Sequence, residues 1–138
     1  MKTEKVSINL SPTELGQIDL LVERGAFDNR SDFMRAAARK ALEGYEGSVK
    51  HFLYPEHLNE ESKYTLLCAL GVAELTRGQI SLCISQGKKM HIRVVGMLKV
   101  SDGINPGDIR TVVESCKIHG KIIATDEVKV VLLELENG

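Results

Sequence analysis

The stretch Lys5-Val6-Ser7-Ile8-Asn9-Leu10 alternates strictly, with Val6, Ile8 and Leu10 on one side and Lys5, Ser7 and Asn9 on the other. That is the period of a half-buried β-strand. No hairpin partner lies nearby, because a helical pattern begins at once. The strand's backbone donors and acceptors must then pair elsewhere, most economically with the same strand of a second chain. A two-chain ribbon of this kind buries Val6, Ile8 and Leu10 and turns Lys5, Ser7 and Asn9 outward. One cation and two short hydrogen-bonding side chains are groups that can read base edges in a major groove.

Working outward, Ser11-Pro12-Thr13-Glu14 is an S-x-x-E capping box with proline at the first helical position. Leu15, Ile18, Leu21 and Val22 follow at helical spacing and Gly25 supplies a stop, which predicts a helix over residues 12–24. Asn29 is placed to cap a second helix, with Asp32 answering it three residues on. Phe33, Ala37 and Ala41 form one stripe of that helix and Met34, Ala38 and Leu42 lie beside it, while Arg35, Arg39 and Lys40 face water. A strand and two helices in some 45 residues are too few to bury a stable core alone, so dimerisation is part of the expected fold. Its core would comprise Val6, Ile8, Leu10, Phe33, Ala37 and Ala41.

These residues together resemble the ribbon-helix-helix family of MetJ, Arc and CopG type: the alternating strand, the capping box, Gly25, and above all Asn29-Arg30-Ser31-Asp32-Phe33-Met34-Arg35. The resemblance covers roughly residues 3–44 and implies an intertwined dimer whose paired strands enter the major groove. It implies that Lys5, Ser7 and Asn9 face the bases, and that Asn29, Arg30 and Ser31 anchor a phosphate at the start of the second helix. Lys2, in the leading arm, is a further expected backbone contact. Ser7 holds the middle reading position, where a longer amide or cation is common in the family.

Gly44-Tyr45-Glu46-Gly47-Ser48 reads as a domain boundary. We therefore expect a DNA-binding and dimerisation domain over 1–45, a linker and irregular segment over 46–66 with Phe52-Leu53-Tyr54-Pro55 extended, and a second domain over 67–138. Within the second domain, aligning Gly71, Gly96 and Gly120 superimposes Leu67–Thr76, Ile92–Ser101 and Cys116–Thr125 at offsets of 25 and 24 residues. One face collects Leu67, Ala69, Ala73, Leu75, Ile92, Val94, Leu98, Val100, Cys116, Ile118, Ile122 and Ala124. The other carries Arg93, Lys99, Lys117 and Lys121. Caps at Thr76, Asn105 and Thr125 favour three βα repeats with parallel strands. A small β-solenoid is the alternative, since Ile80, Leu82 and Ile84 alternate and Val128–Leu133 is rich in β-branched residues. Val130–Leu133 would then cover an open sheet edge or pair between subunits. The fold class is α+β in either case, and this half resembles the C-terminal part of uncharacterised bacterial ribbon-helix-helix proteins.

Of the 138 residues 43% are apolar, as in an ordinary globular core, and the net charge is −1. Residues 1–45 hold seven cations and seven anions. DNA binding must therefore rest on a few placed groups and helix ends, not on a broad positive field. Apolar runs are too short to span a membrane and Met1-Lys2-Thr3-Glu4 lacks an apolar signal region, so a soluble, cytoplasmic protein is expected; the family resemblance implies a bacterial one. Cys68, Cys83 and Cys116 are odd in number and widely spaced, which suggests buried thiols rather than disulfides or zinc. His51, His57, His91 and His119 form no H-x-H pair, so no metal and no cofactor are expected. Phosphate-loop, G-x-S-x-G and H-E-x-x-H patterns are absent from the sequence, and Glu60-Glu61 reads as a solvated loop, so no enzymatic activity is expected.

The expectation is a sequence-specific transcriptional regulator, read as a repressor. It would bind double-stranded DNA as a homodimer or higher oligomer, with a second domain that assembles dimers or senses an effector. The alternatives are an antitoxin whose later residues wrap a toxin, and a metal-responsive repressor.

Overall fold

The computed structural model describes residues 3–56 and 63–137. Lys2, His57, Glu60 and Glu61 lie outside the described residues. The chain divides into two compact units, Met1–Glu46 and Gly47–Gly138.

The first unit holds α1 (Pro12–Glu23) and α2 (Arg30–Glu43). The capping box at α1 is complete: Ser11 Oγ accepts from Glu14 N–H and the Glu14 carboxylate accepts from the Ser11 backbone. Gly25, at φ 82°, takes the left-handed conformation that ends the helix. At α2, Asn29 Oδ1 accepts from Asp32 N–H at 2.8 Å. The expected answer from Asp32 goes one residue further back, since its carboxylate accepts from Asp28 N–H at 3.2 Å. Phe27 meets Phe33 edge-on at 5.0 Å between ring centroids.

Next in the chain is α3 (Glu46–Leu53), where a linker with an extended Phe52-Leu53 was expected. Val49, Phe52 and Leu53 fall at helical spacing, Leu53 is buried, and Pro55 lies just beyond the helix end.

The second unit continues with β1 (Tyr64–Leu75), α4 (Arg77–Gln86), β2 (Lys89–Val100), α5 (Pro106–Val112), β3 (Val113–Ile123) and α6 (Asp126–Asn137). The strands form one parallel sheet in the order β1-β2-β3. Gly71 pairs with Gly96 and Gly96 with Gly120. All three glycines have φ between 120° and 140°, a region closed to L side chains. At Gly96 and Gly120 a Cβ would also collide with the carbonyl of the preceding strand's glycine. The three glycines therefore form one row across the whole width of the sheet.

Of the face expected to be core, Ala73, Leu75, Ile92, Val94, Leu98, Val100, Cys116 and Ile118 are buried. Leu67, Ala69, Ile122 and Ala124 are partly buried against them. Ile80 and Cys83 of α4, Ile109 and Val112 of α5, and Val128, Val131 and Leu132 of α6 complete this core. Ile80, Leu82 and Ile84 thus belong to a helix, as do Val128–Leu133, and the alternation and β-branching that suggested strands for them are overridden by packing on the sheet. Val130–Leu133 therefore adds no strand at the sheet edge. The helix caps sit where expected: Thr76 forms a capping box with Gln79, Asn105 accepts from Gly107 N–H at 2.8 Å, and Thr125 Oγ1 accepts from Val128 N–H.

His91 and Arg93 are buried on the opposite sheet face, joined through Ser115. The Ser115 hydroxyl accepts from the Arg93 guanidinium at 3.0 Å and lies 2.6 Å from His91 Nδ1.

Candidate nucleic-acid interface

The candidate interface lies in the first unit, on residues 3–10 and the start of α2. The stretch 3–10 joins no β-ladder among the described residues, so the expected strand does not form within one chain. No strand among the described residues pairs with it. Lys5, Ser7 and Asn9 are exposed. Their apolar counterparts are exposed as well, Val6 at 81% and Ile8 at 58%, while Leu10 is half-buried.

Ile18 is the one fully buried hydrophobic residue described in the first unit. Around it run two open grooves of about 300 and 240 Å³, which share Leu10, Ile18 and Met34 in their walls. Phe33 and Ala37 line the larger and Ile8 the smaller. Ala37, Ala41 and Leu42 are exposed along α2. All six expected dimer-core residues thus lie at or beside uncovered apolar surface, which one chain leaves unfilled.

The start of α2 is arranged around a helix terminus. Asp32 N–H goes to the Asn29 side chain and Phe33 N–H to the Asn29 carbonyl. The N–H groups of Arg30 and Ser31 remain for an external acceptor, and the helix dipole favours an anion there. Asn29 is therefore a cap, holding the terminus in shape. The Arg30 side chain is already engaged, for its Nε and Nη2 donate to the two Asp19 carboxylate oxygens at 2.8 and 2.9 Å. That hydrogen-bonded pairing holds the Asp19 carboxyl below its usual range and raises Arg30. Asp19, on α1, was absent from the expected site; its spacing of eleven residues from Arg30 gives no local signal.

Among the described residues, no group of three or more His, Cys, Asp and Glu side chains is placed to hold a metal ion. His91 meets Tyr64 and Ser115, whereas His119 packs edge-on against Phe52 at 4.9 Å. No described helix is long and apolar enough to cross a membrane.

No curated protein and no solved structure is a significant match to the sequence. Its residues 1–129 match the profile of the Ribbon-Helix-Helix transcriptional regulator family, reaching far beyond the first unit, and the chain belongs to that family.

Proposed function

We propose that the chain is a sequence-specific DNA-binding repressor that acts as a homodimer, with two copies of Lys5–Leu10 paired as an antiparallel ribbon in the major groove. The observation that carries this reading is the juxtaposition of exposed Val6 and Ile8 with the open grooves lined by Ile8, Leu10, Ile18, Phe33 and Met34. A second copy fills both at once, satisfying the strand's backbone and covering its apolar side. Lys5, Ser7 and Asn9 then read base edges. The N–H groups of Arg30 and Ser31, on a terminus shaped by Asn29, hold a phosphate.

With no net positive charge on residues 1–45, a single dimer binds modestly, and joining several dimers on tandem sites raises the affinity. We assign that joining to the second unit, read as three βα repeats. Its packed core supports this role over that of an extended toxin-wrapping tail. Selection of genomic DNA fragments by the full chain tests the proposal: a recurring motif spaced as paired half-sites supports it, and selection without any common motif overturns it.

A further inference from the structure

We infer that the sheet of the second unit continues from one copy of the chain into the next, with β3 of one copy pairing in parallel beside β1 of another and Gly120 in register with Gly71. This inference stands on the second unit alone and does not depend on what the first unit binds.

Three observations carry it. The first is the glycine row. At Gly96 and Gly120 the place where a Cβ would stand is occupied by the carbonyl of the preceding strand's glycine. Gly71 has the same backbone conformation, φ 120°, yet nothing described lies within 4 Å of its corresponding position. A neighbouring strand presenting Gly120 there reproduces at β1 the contact that β2 and β3 already make.

The second is the state of the core at its two ends. The core residues left partly buried are Leu67 and Ala69 on β1, Ile122 on β3 with Ala124 just beyond it, and Leu135 on α6. In the register Gly71 to Gly120, the partly buried Leu67 and Ala69 of one copy stand opposite Cys116 and Ile118 of the next, and the partly buried Ile122 and Ala124 opposite Ala73 and Leu75. Each incompletely covered residue therefore gains an apolar neighbour from the other copy.

The third is the helix layer. The end helices α4 and α6 each leave large apolar side chains exposed, Leu82 and Ile84 on one and Val130 and Leu133 on the other, whereas the middle helix α5 leaves none. Stacked βα units need polar caps at both ends to stay single, and these ends lack them. The strands β1 and β3, at 12 and 11 residues, are long edges, and β1 is apolar along most of its length, the kind of edge that recruits another strand. Because the two edges differ, the contact is head-to-tail, and it builds a ring or a filament instead of a closed pair.

Disulfide trapping of the full chain tests this. Val72 and Lys121 are exposed, and both pair with Met97 from opposite sides. Within one chain they are two strand spacings apart, about 9–10 Å, too far for a disulfide. Between copies in the proposed register they are direct neighbours. In a Cys68→Ser background, the double variant Val72→Cys with Lys121→Cys is expected to give a ladder of linked chains on mild oxidation, and each single variant only unlinked chains. Val72→Cys alone linking into pairs would mean that copies meet face to face, and would overturn the inference. So would a double variant that links no more than the single ones while its circular dichroism stays that of the folded chain.

Discussion

Gly96 lies so close to Gly71 on the neighbouring strand that a single added methyl group would sit inside the Gly71 carbonyl. Neither backbone can withdraw without opening the ladder that joins them. Gly96→Ala, and by the same contact Gly120→Ala, should therefore destabilise the second unit by more than about 4 kcal/mol. In dilute protein Gly71→Ala meets only the strain of its positive φ, roughly 1–3 kcal/mol. Urea unfolding of the three variants checks this, and equal losses at all three positions would contradict the asymmetry.

Cys116 gives the second unit a measurable alkaline limb. Burial pushes its thiol up to about 12, with Glu136 adding to the effect and Arg93 opposing it. A thiol raised in the folded state stabilises below its ordinary value near 9, and that contribution is lost as pH rises towards the folded value. Unfolding free energy should fall above pH 9 by up to about 1.4 kcal/mol per pH unit from this group. Cys116→Ala should remove that slope, and an unchanged slope in the variant would assign it elsewhere.

Asp19 occupies the Arg30 guanidinium, which the proposed phosphate site could otherwise use. The ion pair is solvent-exposed, and because the Asp19 carboxyl is lowered it persists above the ordinary carboxylate range, breaking only as pH falls through the depressed value. Binding between pH 6 and 8 should show no titration from it. Asp19→Asn should free the guanidinium for a phosphate and steepen the salt dependence of binding by about 0.9 per chain so engaged. An unchanged slope would mean that Arg30 serves only to tie α2 to α1.

The caps and the open grooves make a joint prediction for the first unit. Removing the Ser11 hydroxyl in Ser11→Ala breaks the capping box and should cost about 1 kcal/mol. If the first unit is completed by a second copy, its unfolding midpoint should also rise with protein concentration in wild type and variant alike. A midpoint independent of concentration would contradict the dimer.

Local chemistry made much of this fold legible in the sequence. Ser11 with Glu14, Asn29 with Asp32, and Thr76 with Gln79 act within four residues, so their spacing alone located the helix starts. Gly71, Gly96 and Gly120 matched because the same positive-φ backbone recurs on each strand. What stayed hidden depends on packing or distance. Residues 46–53 look like linker because Gly47 and Ser48 mask the helical spacing of Val49, Phe52 and Leu53. Val128–Leu133 has strand chemistry but lies on the sheet as a helix. The Asp19–Arg30 pair and the His91–Ser115–Arg93 cluster join residues far apart in the chain, and no motif announces them.

The central claim is that the paired Lys5–Leu10 segments read DNA. The most direct test compares wild type with Asn9→Ala on DNA fragments selected by the wild type, at two salt concentrations. Asn9→Ala should lose discrimination of the selected sequence by about 1–3 kcal/mol, while its salt slope and nonspecific binding stay those of wild type. Unchanged discrimination in Asn9→Ala, together with the same result for Lys5→Ala and Ser7→Ala, would place the reading element elsewhere and contradict the account.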